Sequence, residues 1–360
     1  MASTKCCTRT IAAGLASFAL LVTACGDDDT GAVDATAAEE TTSSENGASA
    51  GGASTSDEQP TLAIVLSGQV NDYSWNQAAY DGAETLKEEG VIGDFAYQES
   101  VADADVERAV RAYAEDGYDL VIGHSFNYGE AIKNLAPDYP EVLFAYAGGF
   151  GDSSGNVADY AQPFHEAAYL QGILTAGAAE NDVAAGAAGF DIPVCQNMFH
   201  RFVEGAKLVN PDADGTYVAV GDWNDVQMGK ETALGQVDGR ADMFIGCGQG
   251  PTLGQIEAAK EAGGYVTGYV GDMSDLAPDV VLTSTVWRLD EVFRAMVADA
   301  VAGNVDPAPY YEITFAEGGM EIAINPELED EISPEAMAIY EEELAKVESG
   351  ELVVPFEVSE

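Results

Sequence analysis

From Thr61 onward, short apolar runs alternate with amphipathic stretches. TLAIVL (61–66) is apolar without a polar alternation, the pattern of a parallel strand covered on both faces. A polar loop and a helix over 75–89 follow, then the strand FAYQES and a helix over 104–116 with Val106, Ala109, Val110 and Tyr113 on one face. DLVIGHS, a helix through Ile132 and Leu135, VLFAYAGG and NVADYA complete a doubly wound unit ending near Pro163. The pattern then restarts. A helix over 165–179 leads to DVAAGAAGF, a helix over 197–209, TYVAVGDW, a helix over 225–236, ADMFIGC, a helix over 253–262, YVTGYV and VVLTSTV. A helix over 289–301, an extended pair around 311–322 and a helix over 334–347 close the chain. The expectation is two α/β lobes with parallel sheets. Residues 61–163 and 286–360 form the first and 164–285 the second, joined by hinge connections near Pro163, 285–287 and 310–315.

The N-terminal residues follow neither period. Lys5 and Arg9 precede an apolar stretch over 11–22, too short for a bilayer span of about 20 residues. Residues 1–24 are therefore expected to be a signal peptide. Leu21-Val22-Thr23-Ala24-Cys25-Gly26 resembles the bacterial lipobox, which implies cleavage before Cys25 and a diacylglyceryl thioether on its sulfur. Residues 26–60 carry nine acidic residues, no Lys or Arg, and almost no large apolar side chain. Such a segment cannot bury a core, so 25–60 is expected to be a lipid-anchored flexible linker. That layout favours a receptor tethered at a membrane.

Charge narrows the function classes further. With 14 Lys+Arg against 63 Asp+Glu, the net charge is -49, and nucleic-acid binding through phosphate neutralisation is excluded. The acids are spread along the body, the pattern of adaptation to a saline exterior rather than of a focused cation site. After processing, two cysteines remain, Cys195 and Cys247, just past the ends of expected neighbouring strands. A disulfide and a pair of buried thiols both fit.

In open parallel sheets, ligands bind beyond the carboxyl ends of the strands. The loops expected there combine aromatics with short polar side chains, and Trp75, Trp223 and Trp287 all lie at or just after strand ends. These loops, in order, resemble the basic membrane lipoprotein family, the PnrA-like substrate-binding proteins of ABC transporters. The resemblance runs over residues 61 to about 305 and is carried by Asp72-Tyr73-Ser74-Trp75-Asn76, the segment 118–126, Glu166-Ala167-Ala168-Tyr169-Leu170-Gln171-Gly172, Gly189-Phe190-Asp191-Ile192-Pro193 and the segment 272–284. It implies a type I periplasmic-binding-protein fold, two doubly wound domains joined by hinge strands, and capture of a purine nucleoside or nucleobase for an ABC permease. The implied molecule is a monomer without cofactor or metal. Trp75 then takes the place of the base-stacking aromatic and Asn76 that of its polar neighbour, with Asp72, Ser125 and Phe126 on the same wall. Asp191, Trp223, Asn224, Gly248 and Asp272 are expected opposite, and Trp287 beside them. Two positions depart from the family pattern. Val270 stands where an aspartate holds the ribose, and Trp287 where a lysine does, which suits a flat ligand with fewer hydroxyls.

Other classes find little support. Gly123-His124-Ser125-Phe126-Asn127 lacks the final glycine of a nucleophile elbow. Gly246-Cys247-Gly248-Gln249-Gly250 has no Lys-Ser pair for a phosphate loop. His124, His165 and His200 are dispersed, and Asp212-Ala213-Asp214-Gly215 is a fragment of a calcium loop. The alternative kept open is a lipoprotein sensor for another flat small molecule that signals without transport. The lipobox resemblance makes one prediction. Cys25→Ala is expected to abolish incorporation of radiolabelled fatty acid into the protein in its host, and undiminished labelling would refute anchoring at that residue.

Overall fold

A computed structural model describes residues 59–357. The expected signal peptide, Cys25 and nearly all of the expected linker lie outside the described residues. In chain order the elements of the first half are β1 (Leu62–Leu66), α1 (Trp75–Glu88), β2 (Phe95–Gln98), α2 (Val106–Glu115), β3 (Leu120–His124), α3 (Gly129–Leu135), β4 (Leu143–Tyr146) and β5 (Val157–Tyr160). The second half begins with α4 (Phe164–Ala176), β6 (Val183–Ala188), α5 (Pro193–Val209), β7 (Asp214–Ala219), α6 (Val226–Val237), β8 (Met243–Cys247), α7 (Gln249–Ala262) and β9 (Tyr265–Gly268). It ends with β10 (Val281–Trp287), α8 (Leu289–Ala302), β11 (Tyr310–Tyr311), β12 (Met320–Ile324) and α9 (Pro334–Glu348).

These strands form two six-stranded sheets, ordered β2-β1-β3-β4-β5-β11 and β7-β6-β8-β9-β10-β12. Every pairing is parallel except β10 with β12. Both sheets therefore share a 2-1-3-4-5 order with one strand added at the edge. That order reverses direction between its first and third strands, and the crevice at such a switch point is where doubly wound sheets bind ligands. β1, β3 and β8 are buried along their whole length, the reason their sequences carry unbroken apolar runs.

Helix α4 is buried on every side, including its polar positions: Glu166 accepts from Phe315 N at 2.7 Å and His165 Nε2 donates to Val354 O at 3.1 Å. It packs against α5 through two glycines. A Cβ at Gly172 would fall 2.0 Å from the Phe202 carbonyl oxygen, and one at Gly205 would fall 1.8 Å from that of Tyr169. Any larger residue at either position forces the two helices apart.

The C-terminal part departs from expectation. Residues 286–360 do not all return to the first lobe: α8 packs on α1 and β11 pairs with β5, but β12 adds antiparallel to β10 in the second sheet. Helix α9 buries Ala336, Tyr340 and Val347 and packs on α4, with the Tyr169 hydroxyl donating to Glu343 at 2.7 Å. The tail beyond it is fastened to α5. Arg201 Nε donates to Pro355 O at 2.8 Å, and Asn197 exchanges two hydrogen bonds with the Glu357 main chain. The chain thus crosses between sheets after β5, after β10 and after β11.

Two helices begin earlier than the periodicity suggests. Pro193 opens α5 at a position where its missing N–H is no loss, and α7 starts at Gln249, directly after Gly248 with φ 115°. Cys195, in the first turn of α5, is bonded to Cys247 at the end of β8, with Cα atoms 5.4 Å apart. The bridge closes a loop 52 residues long, for which chain-entropy arguments give about 4 kcal/mol. Replacing both cysteines by serine is expected to lower the urea midpoint and to steepen the slope, because the unbridged chain unfolds further; an unaltered midpoint would show that the bridge adds no stability.

Candidate functional site

The carboxyl ends of the two sheets face one cleft of about 470 Å³ of non-protein space, part of it open to solvent. The first lobe supplies Ser67, Trp75 and Asn76 after β1, Ser125 and Phe126 after β3, and Gln162 after β5. The second supplies Ile192, Trp223, Asn224, Cys247, Gly248, Gln249 and Tyr269, all at or beyond the ends of β6 to β9. The lining contains no Asp, Glu, Lys, Arg or His. A protein with a net charge of -49 thus has an uncharged cleft between its sheets.

Trp75 is held at the start of α1 by its neighbours. The Asp72 carboxylate accepts from the backbone N–H groups of Ser74, Asn76 and Gln77 and from Asn76 Nδ2, at 2.7 to 3.0 Å, closing the helix N-terminus. Asn76 Oδ1 in turn accepts from Gly68 N at 3.0 Å, pinning the loop to the helix. The indole Nε1 donates to His124 O at 2.9 Å, while His124 Nε2 donates to Trp75 O at 3.0 Å. A carbonyl can only accept, so His124 carries its proton on Nε2 and its Nδ1 accepts from the Tyr160 hydroxyl at 2.6 Å. The two rings stack at 4.4 Å between centroids, 22° from parallel. Burial without a carboxylate partner pushes the imidazole down to about 3, so it is neutral at ordinary pH.

On the opposite wall, Trp223 lies over two glycines. A Cβ at Gly189 would sit 2.1 Å from its ring and one at Gly248 would sit 2.9 Å away, so both positions must stay bare for the indole to lie there. Phe190 meets it edge-on at 5.0 Å, and its Nε1 donor is shielded from solvent without a hydrogen-bond partner. Tyr269 reaches from the second lobe to within 6.1 Å of the Trp75 ring, nearly parallel at 11°. The cleft is thus walled by rings from both sides, with amides and hydroxyls between them.

Seven of the residues expected from the sequence line this cleft: Trp75, Asn76, Ser125, Phe126, Trp223, Asn224 and Gly248. Four lie elsewhere. The Asp72 carboxylate is engaged by the N-terminus of α1, and only 8% of the residue is exposed. Asp191 accepts from Gln196 at the surface. Asp272 caps an exposed turn through Ser274 N at 2.9 Å. Trp287 is 5% exposed and packs under the cleft, 5.4 Å from Trp75 and 4.9 Å from Phe164 between ring centroids. Asp272 and Trp287 instead border a separate cavity beside α1, with Tyr73, Asp81 and Asp290. Sequence reasoning missed Ser67, Gln162, Ile192, Cys247, Gln249 and Tyr269 as lining residues. Their signal is position alone, since each lies at or within a few residues of a strand's carboxyl end.

The sequence matches the family described as ABC transporter substrate-binding protein PnrA-like over residues 59–354. The chain belongs to that family, whose members are solute-binding proteins and not enzymes. A Haloferax volcanii protein described as an ABC transporter glucose-binding protein is 28% identical over 267 residues, covering 74% of this chain and 66% of that protein, slightly less than two thirds of its length. A Brucella abortus purine-binding protein is 27% identical over 303 residues, covering 82% of this chain and 83% of its own. Among solved structures, an ABC transporter solute-binding protein from Aeropyrum pernix K1 superimposes with a TM-score of 0.69 at 24% identity, over 83% of this chain and 94% of that one. The likeness identifies the type I periplasmic-binding fold. Such families act outside the cytoplasm in association with a membrane, and no helix among the described residues is long and apolar enough to cross one.

The buried imidazole makes a pH prediction. Its folded pKa of about 3 lies below the ordinary 6.5, so as pH falls the unfolded chain takes up the proton first. The contribution of neutral His124 is complete above about pH 6.5 and is lost progressively towards pH 3. Thermal melts between pH 7 and 4 should show a steeper acid decline for the wild type than for His124→Gln. Parallel declines would mean that the imidazole titrates normally.

Proposed function

We propose that this chain is the solute-binding lipoprotein of an ABC importer and that its inter-lobe cleft takes a purine base or nucleoside. The observation that carries the reading is the cleft lining: facing aromatic rings, amides and hydroxyls, and no charged group. A planar heterocycle gains from stacking on indole faces, about 1 to 3 kcal/mol per base in nucleic-acid complexes, and presents its N–H and N/O edges to amides. A carboxylate or ammonium ligand would lose its hydration without a partner here. The purine-binding relative from Brucella supports the same ligand class.

In this reading Trp75 and Trp223 stack on the ligand from opposite lobes, Phe126 borders it, and Asn76, Ser125 and Asn224 meet its polar edge. Gly248 leaves room for the Trp223 indole. Asp191, Asp272 and Trp287 act indirectly, through the loops and the floor. Closure brings the second lobe onto a ligand already resting on the first, so the closed state gains by the difference in affinity. Cys25 anchors the monomer to the outer face of the membrane, where it delivers its ligand to a permease.

The test is a titration-calorimetry panel in high salt, with adenine, hypoxanthine, guanine, their nucleosides and glucose. A purine is expected to bind. Trp75→Ala and Trp223→Ala should each weaken it at least ten-fold, the equivalent of about 1.4 kcal/mol of lost stacking. Binding of glucose alone, or purine affinity unchanged in both variants, would overturn the assignment.

A further inference from the structure

We propose that Gln249 couples ligand recognition to closure of the lobes, an inference that rests on the purine reading of the cleft for its ligand arm only. Gln249 is the first residue of α7, fixed between two glycines. Gly248 takes a φ of 115°, and a Cβ on Gly250 would come 2.4 Å from the main chain of Asn224, so the backbone here has little room to shift. From this position Gln249 Nε2 reaches across the cleft and donates to Asp72 O at 2.7 Å, a direct hydrogen bond between the lobes. Its acceptor is rigid, because the Asp72 carboxylate is tied to three main-chain N–H groups at the start of α1. The same turn carries Trp75, so the latch pulls on the loop that bears the stacking indole.

An amide has two ends. With Nε2 committed to Asp72 O, the flip of the side chain is fixed, and Oε1, which accepts no hydrogen bond among the described residues, is the end left for the ligand in the cleft that Gln249 lines. The ligand edge that meets it must bring an N–H or O–H donor. Gln162 repeats the arrangement from the first lobe: its Nε2 donates to Ala147 O at 2.7 Å, leaving its Oε1 as an acceptor. Closure and donor recognition are thereby carried by one side chain. An unlatched Gln249 loses the orientation that presents its oxygen.

Two substitutions separate the roles. Gln249→Glu keeps an acceptor but has no donor for Asp72 O, and Gln249→Ala has neither. Hydrogen exchange on the full-length protein without ligand reads the latch. Faster exchange is expected in both variants over residues 67–77, on the opposite lobe, where a purely local role of Gln249 within its own lobe would change nothing. Stopped-flow binding of adenine and hypoxanthine reads recognition. Dissociation should accelerate about five-fold in Gln249→Glu and further in Gln249→Ala, with association within about two-fold of wild type. Wild-type exchange over 67–77 in both variants overturns the latch. Wild-type dissociation in Gln249→Ala overturns the recognition arm. Failure of the wild type to bind any purine refutes the ligand assignment, while the exchange data still decide the latch.

Discussion

The reciprocal hydrogen bonds between Trp75 and His124 are the contact on which the site depends. They join the first turn of α1 to the end of β3, the two elements that flank the switch point of the first sheet. An indole on a loop would sample several rotamers. Here its N–H is satisfied by a main-chain carbonyl, one face is covered by a neutral imidazole, and the Tyr160 hydroxyl fixes that imidazole from behind. The arrangement needs an uncharged histidine, because an imidazolium would have to be buried with no carboxylate beside it. It also needs the Asp72 cap, which keeps the helix from fraying at the residue that carries the ring.

The second lobe builds its wall by a different device. Trp223 is seated by removal of atoms rather than by hydrogen bonds: Gly189 and Gly248 provide a flat bed, and the disulfide between Cys195 and Cys247 ties the strand end beneath it to the first turn of α5. One wall is thus fixed by polar contacts and the other by shape. Both are held on strand ends, while the chain passes between the sheets after β5, β10 and β11, the connections at which the proposed closure would turn.

Much of this architecture is legible in the sequence for a simple reason. Strands buried on both faces must be apolar throughout, so β1, β3 and β8 announce themselves, and the β-then-α alternation fixes parallel sheets. What is not legible is long-range pairing. Nothing in the pattern of Met320–Ile324 says that it adds antiparallel to β10 rather than joining the first sheet, and α9 is placed by packing against α4, a partner far away in sequence. The site divides in the same way. Trp75, Phe126 and Trp223 stand out as aromatics at strand ends, but Trp287 has the same signature and is core, because its strand runs on beneath the cleft. Asp72 looks like a ligand contact and is a helix cap. Gln249 hides because periodicity starts its helix several residues late, past the glycine and proline that open it. Tyr269 hides because it continues an apolar run and reads as strand.

The contrast between an uncharged cleft and its surroundings has a consequence at distances beyond contact. The chain carries 63 Asp and Glu against 14 Lys and Arg, so its net field repels anions over a distance set by the ionic strength of the medium. On the proposed reading of the cleft, a phosphorylated form of the ligand would meet that field in solution before any side chain touches it. Such a field would add discrimination against nucleotides in dilute media and little in brine, where the Debye length falls to about 3 Å at 1 M salt.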